Sequence, residues 1–333
     1  MRIIINNFLK LGKKMDGQKT SPQWLARAGM GLLAALLSAC TSLPPVAVNS
    51  EVKTTPTPTQ SSSTVEVPLV RRPVHLGLAL GGGAARGFAH VGVIQVLEEA
   101  GLKPSHVVGT SAGSLVAALY ASGKSVPELR KAAETMEEAE ITDWMVPLLN
   151  RGALRGEALA KYVNAQVGGR NLESMKIPLG IVATDLRSGE AITFRRGNTG
   201  SAVRASSAVP AVFQPVRIGD REYVDGGLVA PVPVHQAREM GANFVIAVDI
   251  SSDPEGNPAG DTFQILLQTF TIMGKSINTL ALKDADLVVR PALSGVKSAD
   301  FSARRRSIEA GRVAMLAQLP RLKERLAAFE AGH

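Results

Sequence analysis

A chain of 333 residues, 45% of them apolar, is long enough to bury one large core or two, and its one cysteine rules out an intramolecular disulfide. The formal net charge of +8 is unevenly placed: residues 1–39 hold six Lys or Arg and one Asp, so without them it falls to +3. A mildly basic body favours anionic lipid surfaces. It carries no basic stripe interleaved with aromatics and no His/Cys cluster at ligand spacing, which excludes a nucleic-acid binder and a metal centre.

The chain begins with scattered Lys and Arg, continues with an apolar run at residues 28–39, and reaches Cys40. The run is too short to span a bilayer and has the length of a signal-peptide core, so residues 1–39 read as an export signal. The string Leu37-Ser38-Ala39-Cys40 resembles a bacterial lipobox, which implies lipidation of Cys40 as the mature N-terminus and a lipid-anchored protein of the cell envelope. Thr41 after the cysteine fits sorting to the outer membrane if the organism is diderm. The long basic leader leaves Met15 as an alternative start. A buried core cysteine is the competing reading, and the following segment offers it no core. From residue 41 to 72 the composition turns to Pro, Ser, Thr and Val without apolar periodicity, the signature of an extended tether.

Beyond the tether, strand and helix patterns alternate. Residues 74–80 form an apolar run that ends in glycines, and residues 89–100 have helical spacing, with Val93, Val96 and Leu97 on one side. Residues 106–109 read as a buried strand and residues 111–122 as the helix after it. Further strands are expected at 179–184, 191–194 and 244–250, a hairpin around Gly219-Asp220 within 216–223, and a late strand at 285–290 that stops at Pro291. Residues 308–329 read as an amphipathic packing helix. Such alternation points to an α/β fold with a mainly parallel central sheet covered by helices on both faces.

Three motifs carry the chemistry. Gly109-Thr110-Ser111-Ala112-Gly113 follows a strand and opens a helix. Glycines remove side chains where strand and helix approach, and Ser111 sits where the helix dipole favours negative charge. A serine hydroxyl is a poor nucleophile at neutral pH and needs a base. Asp225, in Asp225-Gly226-Gly227, can supply it if partial burial raises its basicity. The competing reading of Asp225-Gly226-Gly227 is a plain turn. Gly81-Gly82-Gly83-Ala84-Ala85-Arg86-Gly87 can aim N–H groups at an oxyanion. Gly82 and Gly83 are the candidate donors, with Arg86 supporting the loop or the oxyanion, or else standing as an exposed helix-start residue. Together these describe a serine acyl hydrolase.

A dinucleotide site is rejected because the next strand ends in the Ser111 elbow where a ribose-binding acid would stand. A P-loop is rejected because Gly123-Lys124-Ser125 closes a helix and Ala118 holds the first glycine position. A Ser-acid-His triad lacks a suitable histidine, since His235 follows Asp225 closely and reads as part of a surface helix. His90 reads as structural, and Asp185 as a loop acid or an organiser of the site.

The ordered motifs, together with Arg204-Ala205-Ser206-Ser207-Ala208-Val209-Pro210 and Tyr223-Val224-Asp225-Gly226-Gly227, resemble the patatin-like phospholipase family over about residues 74–240. The resemblance implies a patatin-like three-layer fold and a Ser-Asp dyad, with Ser111 as nucleophile and Asp225 as general base. It also implies acyl-ester substrates such as phospholipids or lysophospholipids and no cofactor. Gly109, Gly113, Gly226 and Gly227 take the elbow and turn positions. Ala84 stands where many relatives carry another glycine, and Ser206, Ser207 and Pro210 match a family segment without a role derivable from the residues. The expected division is signal 1–39, tether 40–73, catalytic core 74–240 and a C-terminal α/β extension, 241–333, packed on it. The competing functions are an esterase or thioesterase acting on soluble substrates and a noncatalytic lipid- or partner-binding lipoprotein.

Overall fold

The computed structural model describes residues 72–332, apart from residues 142, 144–151, 256–259 and 298. The signal, Cys40 and nearly all of the tether lie outside the described residues.

Strand β1 (Leu76–Leu80) is central because it is apolar along its whole length and can be covered on both faces. Strands β2 (His106–Thr110), β3 (Gly152–Leu154), β4 (Leu179–Asp185), β5 (Ala191–Phe194), β6 (Ala211–Phe213), β7 (Val216–Ile218), β8 (Arg221–Asp225), β9 (Phe244–Val248) and β10 (Leu287–Val289) follow. The main sheet runs β10-β9-β1-β2-β4-β8-β7, with β5 also on β4, while β3 and β6 make a separate pair. From β10 to β4 every pairing is parallel; β8, β7 and β5 add an antiparallel end. The C-terminal third thus contributes two strands to the same sheet.

Period-two alternation divides the side chains between two cores. Leu78, Leu80, Val107, Ile181 and Ile246 face one side, whereas Ala79, Val108, Val182, Val245 and Ala247 face the other. The connecting helices are α1 (Ala89–Glu99), α2 (Ala112–Ala121), α3 (Val126–Thr135), α4 (Glu157–Gln166), α5 (Thr199–Ser206), α6 (Val234–Glu239), α7 (Thr262–Ala281) and α8 (Arg304–Glu330). Residues of α1, α2, α3, α4 and α8 fill the first core, and Val234 and Ala237 of α6 fill the second. This gives the three-layer arrangement of helix, sheet and helix.

The tail helix α8 begins four residues earlier than its sequence pattern indicates and packs across α1 at two glycines. A Cβ on Gly92 would lie 1.9 Å from the Ile308 carbonyl oxygen, and one on Gly311 would lie 1.9 Å from that of Ala89. The two backbones therefore approach as closely as bare helices allow. The expected hairpin is present, with Gly219 at a φ of 66° in the turn between β7 and β8. Strand β10 is shorter than expected; just before it, the Asp286 N–H donates to the Val245 carbonyl at 2.9 Å and the Asp286 carboxylate accepts the Val245 N–H at 2.6 Å. Gly123, at a φ of 94°, follows the end of α2, and Ser125 caps α3 by donating its N–H to Glu128. The Gly-Lys-Ser string is accordingly a helix stop followed by a helix start.

Candidate active site

The register of β4 brings the two key residues together. Val182 pairs with Thr110, the last residue of β2, and Ala183 pairs with Asp225, the last residue of β8. The strands run in opposite directions along one edge of β4, so their C-terminal ends meet, and Ser111 emerges beside Asp225. The Thr184 hydroxyl donates to the Asp225 carbonyl at 2.8 Å, and the Asp225 N–H donates to the Ala208 carbonyl at 3.0 Å. A Cβ on Gly226 would come within 2.3 Å of the Val182 carbonyl, so the chain leaves Asp225 directly over β4.

Ser111 has φ 52° and ψ −123°, a conformation that L residues rarely adopt. It occupies the N-cap position of α2, yet its side chain caps nothing: the Ser114 N–H goes to the Ser111 carbonyl, and the Ser111 hydroxyl turns to the Asp225 carboxylate. The elbow closes this tightly because both flanking residues lack a Cβ. One on Gly109 would sit 2.4 Å from the Gly113 carbonyl oxygen, and one on Gly113 would sit 2.1 Å from that of Leu80.

Asp225 is buried, and desolvation pushes its carboxyl up to about 6 against the opposing hydrogen bonds from Ser111 and the Gly227 N–H. The Gly227 N–H lies 2.7 Å from Oδ1. The turn seen in the sequence is real, and it also fixes the carboxylate's orientation. Basicity near neutrality is what a direct proton acceptor requires.

The glycine loop lies over the serine: a Cβ on Gly82 would be 3.2 Å from Ser111 Cβ. Its free N–H groups differ from the expected pair. The Gly82 N–H is already bonded to the Pro231 carbonyl at 2.9 Å, which corrects Gly82 from a free donor to a residue that permits close approach. Among the described residues the Gly83 N–H has no partner, and Ala112, the first residue of α2, contributes an unpaired helix-start N–H on the other side of Ser111. His90 is fully buried, neutral with its pKa lowered to about 4 by desolvation, and its Nε2 donates to the Gly81 carbonyl at 2.8 Å. It holds the loop, as its structural reading requires. Arg86 is 8% exposed, not an exposed helix-start residue; its Nε has no partner among the described residues. Burial lowers its pKa, and the charge of Asp249 opposes that shift.

Asp185 organises the antiparallel end. Its fully buried carboxylate accepts from Arg221 at 2.6 Å and from the Arg187 and Ser188 N–H groups, and these hydrogen bonds, Arg221's foremost, hold the carboxyl down at about 2. Arg221 begins β8, so the clamp fixes the strand that ends in Asp225. His235 lies on α6, exposed and paired with Glu239 at 3.1 Å, as a surface-helix residue would be. No role for Ser206 is derivable from the residues alone. Here its Oγ accepts the Ser111 N–H at 2.8 Å and donates to the Val182 carbonyl.

Nucleotide-binding α/β proteins place a phosphate loop where this sheet presents a strained serine, so fold and elbow put the chain among α/β proteins with a serine at a strand-to-helix turn. Residues 78–238 match the patatin-like phospholipase family model, and the chain belongs to that family. An uncharacterized NTE family protein of Mycobacterium tuberculosis is 36% identical over 187 residues, which cover 56% of this chain and 51% of that protein. Patatin-like phospholipase domain-containing protein 6 of Mus musculus is 30% identical over 230 residues, 67% of this chain and 16% of that protein. The chain thus spans about half the length of the mycobacterial relative and a smaller share of the mouse protein. The crystal structure of VipD from Legionella pneumophila shares the fold, with a TM-score of 0.51 at 15% identity, covering 75% of this chain and 67% of that one.

Proposed function

We propose that the protein hydrolyses carboxylic esters of lipids, of the phospholipase or lysophospholipase type, through a Ser111-Asp225 dyad and an acyl-enzyme. The observation that carries this reading is the strained Ser111 hydrogen-bonded to a buried carboxylate whose pKa is raised to about 6. Asp225 accepts the hydroxyl proton as Ser111 Oγ bonds to the ester carbonyl carbon. The negative charge that develops on the carbonyl oxygen faces the Gly83 and Ala112 N–H groups. Collapse breaks the ester C–O bond, and the leaving alcohol takes the proton from Asp225. A water molecule then gives a proton to Asp225 and attacks the acyl carbon; the fatty acid departs, and Ser111 recovers its proton. The family and the name of the mouse relative support a lipid substrate.

Purified protein offered short-chain esters, lysophospholipids and diacylphospholipids is expected to prefer one of the two lipid classes, and Ser111→Ala to lose that activity. Equal rates for wild type and Ser111→Ala would remove the nucleophile, and a preference for short soluble esters would remove the lipid substrate.

Lipidation at Cys40, an extended tether and a place on the cell envelope, in the outer membrane of a diderm, belong to the same proposal. Their support is the lipobox-like string and the Pro/Ser/Thr-rich stretch after it. Tethering raises the effective concentration of membrane substrate without new contacts. Cys40→Ser protein is expected to leave the membrane fraction and to keep an unprocessed mobility. Retention there at the processed size would contradict the anchor.

A further inference from the structure

The geometry points to Ser206 as a positioning residue that holds Ser111 in its reactive backbone conformation, an inference resting on the proposed Ser111-Asp225 dyad. Ser206 ends α5 and is fully buried. Its hydroxyl has one hydrogen, which goes to the Val182 carbonyl, leaving a lone pair for the Ser111 N–H at 2.8 Å. The orientation is therefore fixed by the strand beneath it. Val182 is the β4 residue that pairs with Thr110, and the next residue, Ala183, pairs with Asp225. Two residues beyond Ser206, the Ala208 carbonyl accepts the Asp225 N–H. One short segment thus grips the backbone of both members of the dyad at the point where their strands meet.

The Ser111 N–H matters because φ at Ser111 sets how the residue's Cα substituents are turned relative to that N–H, so an anchored N–H helps fix where the side chain emerges. In the strained conformation, with φ at 52°, it finds Ser206, whose hydroxyl is its acceptor among the described residues. A partly buried donor left without its partner would weigh on this conformer alone, since a relaxed backbone can turn the N–H elsewhere. Removing the Ser206 hydroxyl therefore lowers the fraction of molecules with Ser111 in its reactive position. It touches neither the burial of Asp225 nor the substrate surface.

Ser206→Ala is expected to lower kcat roughly tenfold to hundredfold, the range for a donor left without its partner away from bulk water. KM and the acid limb of the pH profile are expected to stay in place. Ser207→Ala, changing a neighbour whose hydroxyl contacts neither dyad residue, serves as the control and is expected to match wild type. Ser206→Thr and Ser206→Val have nearly the same shape and differ in the hydroxyl. Thr is expected to keep at least ten times the kcat of Val, so this pair decides the matter even if the Ala variant folds poorly. A kcat within twofold of wild type for Ser206→Ala, or equal values for the Thr and Val variants, would overturn the role of Ser206 while leaving the dyad intact. Full activity of Ser111→Ala, measured alongside, would instead overturn the dyad.

Discussion

Asp225→Asn is expected to lower the hydrolysis rate by about two to four orders of magnitude, the usual worth of a positioned general base, and at the same time to stabilise the protein above pH 7. Both effects come from burial. A carboxyl raised to about 6 in the folded state, against an ordinary value near 3.8, is disfavoured as an anion. Below the unfolded value both states are protonated and the group contributes nothing. As pH rises from there toward the folded value, the unfolded chain ionises freely and the native state cannot. The resulting destabilisation is complete above about pH 7 and amounts to roughly 3 kcal/mol at most. Asparagine removes it while keeping an oxygen for the Gly227 N–H. The melting temperature of Asp225→Asn should therefore exceed that of wild type by about 5 °C at pH 8 and equal it near pH 3. An equal melting temperature at pH 8 would mean that the carboxylate is solvated. Wild-type activity should fall on the acid side of pH 6 as Asp225 takes up a proton.

Ser111→Gly should reveal the strain held at the elbow. The φ of 52° and ψ of −123° strain any L residue by about 1–3 kcal/mol, and glycine adopts positive φ freely. Part of the gain is offset by the greater freedom of glycine in the unfolded chain, which leaves about 1–2 kcal/mol of added stability relative to Ser111→Ala, which loses the same hydroxyl. Ser111→Ala keeps the strain and removes the hydroxyl's hydrogen bond to the buried Asp225 carboxylate, so it should be less stable than wild type by about 1–3 kcal/mol at neutral pH. Both variants should be inactive. Urea denaturation of the three proteins compares them directly, and a glycine variant no more stable than the alanine one would mean that the elbow is relaxed.

The parallel part of the sheet was legible because β1, β2, β4 and β9 are short apolar runs bounded by glycine or polar residues, interleaved with helical spacing. The elbow was legible for the same reason. Helix α7 was not anticipated: Ile265, Leu266, Ile272, Met273 and Leu280 are all exposed, so its apolar residues mark no buried stripe, and only Asn278 is buried. Strands β3 and β6 have three residues each and exist through one another, with Gly152 paired to Ala211 across 59 positions of sequence. Nothing local announces such a pair. Which N–H groups of the glycine loop are free was hidden because a distant carbonyl, that of Pro231, occupies the Gly82 N–H. Ser206 and Ser207 look alike in sequence, and only the packing of α5 against β4 sets one of them under Ser111.

The most direct measurement is the pH dependence of labelling by a fluorophosphonate probe, with the adduct mapped by mass spectrometry in wild type and Asp225→Asn. A working dyad places the adduct on Ser111, with a rate that rises through about pH 6 in wild type and falls sharply, without that rise, in the variant. An adduct on another serine, or labelling of Asp225→Asn at the wild-type rate with the same pH dependence, would contradict it.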